Sequence, residues 1–140
     1  WLGFVFGVVV TIAVVTGADQ GGYIMFSARP VMTVLVCLIK GTAAGLVAGA
    51  LYRAIGKKHP LAGVIVAAAA APVVNTGLFV LAMVLFYQPQ LQAWAGGTAV
   101  AAYIVTTLVG VNFLLELGVN LVLSPTITRL IAAGKKGPVD

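Results

Sequence analysis

The chain of 140 residues has very little charge: three acidic residues, eight Lys and Arg, and one His, so that only 8% is charged. A soluble domain is typically about 25% charged. With 61% hydrophobic residues and a mean hydropathy of +1.13, a water-soluble chain of this size could not bury its apolar surface, because small domains leave much of theirs exposed. The composition therefore argues against a soluble enzyme, a disordered tail and a nucleic-acid module. The lone cysteine, Cys37, cannot form an internal disulfide. No G-x-x-x-x-G-K-[ST] run is present, so ATP is not bound by that motif. His59 is a solitary histidine in a basic loop, and no Cys/His cluster has the spacing of a zinc site. No nucleophile–base pair suggests catalysis. The chain reads as no enzyme, with neither cofactor nor metal.

What is present is a series of long apolar blocks. They run from about Trp1 to Ala18, Val31 to Ile55, Leu61 to Tyr87 and Thr98 to Ala133. A helix crosses a bilayer in roughly 20 residues, so the first three blocks match one crossing each. The fourth is too long for one and reads as a short helix, about Ala99 to Val109, that breaks near Gly110 and continues as a crossing helix. A membrane barrel would show period-two alternation, whereas these blocks are apolar all round. The expectation is an all-α, polytopic transmembrane bundle with four crossings in one domain, residues 1–133, followed by a cytoplasmic tail, 134–140. The chain opens on Trp1 inside an apolar stretch, without the basic region of a secretory signal, which suggests a longer protein lacking its N-terminal part.

The loops orient these crossings in a cell membrane. Arg53, Lys57, Lys58 and His59 flank the second connection, and Arg129, Lys135 and Lys136 lie toward the C-terminus. The other connections, Asp19 to Pro30 and Gln88 to Gly97, share a single cation, Arg29. By the positive-inside bias the 56–60 turn and the C-terminus are cytoplasmic. Tyr23, Tyr87 and Trp94 then fall near the outer boundary, where amphipathic rings collect.

Polar groups within the blocks are the candidates for function. Lys40 and Glu116 are the ionisable side chains well inside them, and a charge at a helix centre costs about 2.5–3.5 kcal/mol on insertion scales. At about 1.5 Å per residue, Lys40 lies about 14 Å, Asn75 about 18 Å and Glu116 about 9 Å below the outer surface of a core about 30 Å thick. A cation, an amide and a carboxylate on three helices thus share the middle-to-outer half. Two readings stand: Lys40 and Glu116 pair with each other and hold helices together, or at least one of them binds a ligand.

Asn112, Glu116, Asn120, Ser124 and Thr128 recur at every fourth position. Asn112, Glu116 and Asn120 can share a face, either lining a cavity or bonding a neighbouring helix. Pro125 has no N–H for the carbonyl of Leu121. In the third block, Pro72 frees the carbonyl of Ala68, and Asn75 and Thr76 are within reach of the freed groups. Broken helices near the midplane often mark transport sites; a kink without a ligand is the alternative. Gly41, Gly45 and Gly49 form a doubled G-x-x-x-G pattern beside Ala44 and Ala48, echoed weakly by Gly3 and Gly7. This stripe reads as structural, against another helix of the chain or a partner subunit.

Three stretches resemble the substrate-binding S components of energy-coupling-factor (ECF) transporters: Lys40-Gly41-Thr42-Ala43-Ala44-Gly45, the run from Ala71 through Pro72, Asn75, Thr76 and Gly77 to Phe79, and the run from Asn112 through Glu116, Gly118 and Asn120 to Ser124-Pro125. The resemblance implies a six-helix fold of which this chain holds the last four helices. It implies capture from outside of a vitamin or related micronutrient, in a complex with a transmembrane T component and two ABC-type ATPases that power uptake. The family's small-residue contact with the T component lies on the first helix, which has no counterpart here. The expected substrate-binding residues are Lys40, Asn75, Thr76, Phe79, Asn112, Glu116 and Asn120, with Tyr23, Met25 and Phe26 in a lid over the cavity. A secondary transporter coupled through Glu116, and a structural membrane subunit assembled through a Lys40–Glu116 pair, are the competing functions.

Overall fold

A computed structural model describes residues 1–134, with side chains except at positions 107–109, 111, 112, 115, 116, 127, 130, 131 and 134. The tail expected at 134–140 lies outside the described residues apart from the backbone of Gly134. The described residues are all-α, with seven α-helices: α1 (Leu2–Val15), α2 (Gln20–Ala28), α3 (Pro30–Ile55), α4 (Pro60–Phe86), α5 (Gln88–Ala95), α6 (Val100–Tyr103) and α7 (Asn112–Gly134). A π-helical stretch, Ile104–Val111, joins α6 to α7.

Local chemistry sets the boundaries. Pro30 and Pro60 open α3 and α4, where a missing N–H costs nothing and the fixed φ suits the first turn. α1 ends at Gly17, whose φ of +79° is accessible to glycine at little cost. Asp19 then caps α2, its Oδ1 accepting from the Gly22 N–H at 3.0 Å. Gly96 closes α5 in a left-handed conformation, φ +57°.

The connections expected around Asp19–Pro30 and Gln88–Gly97 are therefore largely helical, as α2 and α5. The proposed lid segment of Tyr23, Met25 and Phe26 is part of a capped helix. In the fourth block the expected break near Gly110 is instead a π-helical widening that runs directly into α7.

α3 and α4 are each long and apolar enough to cross a membrane. α1 and α2 pass the same test together but meet at 81°, which makes up to three crossings. Within α7, the described stretch Leu117–Thr126 is a shorter apolar helix. Among the described residues, two to three candidate spans thus stand where four were expected. Large apolar side chains line the outer faces of the long helices: Leu46 is 64% and Leu85 60% exposed. Such surface is stable in hydrocarbon and costly in water.

The helices pack in the order α1, α3, α4, α7, each on the next, while α2 covers α1 and α3. The α1–α3 seam is glycine on glycine. A Cβ on Gly41 would stand 2.8 Å from the Gly3 carbonyl and 2.9 Å from Gly7 Cα, and one on Gly45 2.6 Å from Gly3 Cα. The doubled pattern on α3 therefore meets its weaker copy on α1 within one chain. Gly49, the third member, has nothing within 4 Å.

At the α2–α5 end, Met25, Met83, Tyr87 and Leu91 form a buried cluster with Phe79 and Trp94 packed against it. Within it, the Tyr87 and Thr33 hydroxyls bond at 2.7 Å, and Thr33 donates to the Arg29 carbonyl at 2.9 Å. This network ties the start of α3 to the end of α4.

Candidate functional site

A polar hollow of about 270 Å³ lies between α1, α3 and α4 and beneath α2 and Trp94 of α5. Helical periodicity builds its walls. Thr33, Val36, Cys37 and Lys40 lie at i, i+3, i+4 and i+7 on one face of α3. Asn75, Thr76 and Phe79 do the same for α4, and Val10 and Val14 for α1. α2 contributes Gly21, Gly22 and Met25, and its cap Asp19 lies beside them. Close approach requires Gly22 to lack a side chain, since a Cβ there would collide with Val14 and with the Asp19 carboxylate. Gly21 stands opposite Trp94: a Cβ there would be 3.8 Å from the indole.

Two polar groups in this wall, Asn75 Oδ1 and the half-buried Lys40 ammonium, have no hydrogen-bond or ion-pair partner among the described residues. Asn75 Oδ1 is buried and has no hydrogen-bond partner among the described residues. Such a group forfeits its hydration without compensation. Lys40 Nζ lies 5.0 Å from the centroid of the Phe79 ring, and no carboxylate among the described residues pairs with it. An aromatic face steadies a cation without neutralising it.

Two other polar groups of the wall are already engaged. Thr33 bonds to Arg29 and Tyr87. Asp19 Oδ1 holds the α2 N-terminus.

Of the residues expected to bind substrate, Lys40, Asn75, Thr76 and Phe79 come together around this hollow. Tyr23 does not line it; on the outer side of α2, it is 48% exposed. Asn120 also stands apart from it. Its Nδ2 donates to the Ala68 carbonyl at 3.3 Å, so among the described residues this amide, rather than Asn75 or Thr76, satisfies the group freed by Pro72. The side chains of Asn112 and Glu116 lie outside the described residues, and a Lys40–Glu116 pair with them. Their helix packs against α4.

Sequence reading did not place Asp19, Thr33, Cys37 or Trp94 at the site. For Thr33 and Cys37 the signal was available, because they lie seven and three positions before Lys40 on its face. Asp19 and Trp94 depend on how two short helices fold over the groove.

No protein-family model, curated protein or solved structure matches the chain.

Proposed function

We propose that the chain is the membrane-embedded capture subunit of an importer, the role implied by its resemblance to ECF S components. The observation that carries this reading is the hollow among apolar helices in which a cation and an unpartnered amide oxygen meet. Polar groups are expensive at membrane depth and are retained there chiefly for function or pairing. A site with unused hydrogen-bonding capacity is suited to a polar solute.

In this reading the 56–60 turn faces the cytoplasm of a multi-pass protein in the cell membrane, with α7 as a fourth crossing. The α2–α5 end then faces outward, and solute enters beneath α2. Without a nucleotide motif of its own, the subunit depends on a transmembrane T component and two ABC-type ATPases for energy. The solute is of vitamin size.

The test is a vitamin and micronutrient screen on the purified intact protein, by thermal shift and by mass spectrometry of retained compounds. A compound retained by the wild type and lost in Lys40→Met and Asn75→Ala supports the site. Retention unaffected by the combined substitution rejects it. Uptake into proteoliposomes should require the T component, both ATPases and ATP. Uptake driven by a pH gradient without them would reject the ATP-coupled role.

A further inference from the structure

Three features of the cavity wall define the chemistry of its occupant. Asn75 Oδ1 can only accept, so a group that satisfies it must bring an N–H or O–H. Lys40 Nζ can only donate; with the Phe79 ring as its neighbour, it has a place for an anion. Trp94 presents an indole against a wall otherwise rich in Val10, Val14 and Val36, which favours a flat apolar body over a polyhydroxylated one. The volume, about 270 Å³, is slightly below the range of about 300–1,000 Å³ usual for drug-sized ligands. It suits a mono- or bicyclic ring with one substituent.

Resting on the capture reading above, we infer that the cavity takes a small planar nitrogen heterocycle bearing one anionic group. The ring N–H donates to Asn75 Oδ1, the anion is held by Lys40, and the ring lies against Trp94. Asp19 lines the same hollow, but its Oδ1 is committed to Gly22, and its charge biases the anion toward Lys40.

Four probes of one shape test this: benzimidazole-5-carboxylate, its N-methyl derivative, its carboxamide, and 2-naphthoate. Binding is read from Trp94 fluorescence in intact protein carrying Trp1→Phe, which removes the other tryptophan of these 140 residues. The parent probe should bind about tenfold more tightly than each of the other three, the scale of one hydrogen bond or charge contact to an otherwise unpaired group. Asn75→Ala should erase the preference over the N-methyl probe and retain that over the carboxamide. Lys40→Met should do the opposite. This crossed pattern serves as a folding control, because a misfolded variant loses both preferences; Asn75→Ser or Lys40→Gln then takes its place.

Equal binding of all four probes overturns the assigned chemistry, as does a preference that both variants leave intact. If no probe binds but the protein retains another small molecule sensitive to Lys40→Met, the heterocycle is wrong and the capture reading stands. If no probe binds and nothing is retained, both fall.

Discussion

Asn120 on α7 donates its side-chain amide to the Ala68 carbonyl on α4, at 3.3 Å and 52 positions away in the chain. Ala68 is four residues before Pro72, whose nitrogen has no hydrogen to give it. One helix thus supplies the donor that the other lacks, in a setting where an unsatisfied carbonyl has no water to turn to.

Asn120→Leu should destabilise the protein by about 1–2 kcal/mol, as expected for an interhelical side-chain bond in a membrane. The effect should shrink in a Pro72→Ala background, where residue 72 regains an N–H for Ala68. Unfolding in detergent of both single variants and the double variant measures the coupling. Additive losses would mean that the two residues act independently.

Gly41→Ala and Gly45→Ala should each cost about 1–3 kcal/mol by overpacking, because the added carbon meets the α1 backbone at 2.6–2.9 Å. Gly49→Ala meets nothing within 4 Å and should be neutral, or stabilising by up to about 1 kcal/mol from helix propensity. Thermal unfolding of the three variants decides. Equal effects at all three positions would contradict the α1–α3 seam.

Thr33→Val should be more damaging than Tyr87→Phe. With Thr33 gone, the fully buried Tyr87 hydroxyl retains a contact of 3.4 Å to the Arg29 carbonyl, at a cost of about 1–3 kcal/mol. With the phenol hydroxyl gone, Thr33 still donates to Arg29 at 2.9 Å, and the loss should be nearer 1 kcal/mol. Melting temperatures of the two variants give the order directly.

Cys37, the only cysteine, is 5% exposed and lines the cavity beneath α2. A small thiol reagent such as methyl methanethiosulfonate should react with it slowly. Trp94→Ala should speed that reaction, because the indole covers the same hollow. Mass spectrometry of the time course reports both rates. An unchanged rate in Trp94→Ala would place the entry path elsewhere.

The long helices were legible because apolar runs and prolines are local signals. α3 was expected over 31–55 and spans Pro30–Ile55; α4 was expected over 61–87 and spans Pro60–Phe86. α2 and α5 lack such a signal, since short helices containing Gly21-Gly22 or Pro89 carry no long apolar run. The cap at Asp19 was the overlooked signal for α2. The spacing of Asn112, Glu116 and Asn120 suggested a shared face without showing where it points, and Asn120 points to Ala68.

Composition by itself determines that this chain is apolar beyond what a small soluble domain buries, the unbroken apolar runs make it helical, and the sequence also marks where its polar groups and small residues recur. The tertiary structure decided that the glycine stripe of α3 meets α1, that Lys40 and Asn75 border one hollow, and that Asn120 completes α4. The physical reason is that helical period relates residues within one helix, whereas the order and rotation of helices follow from close packing between segments far apart in the chain.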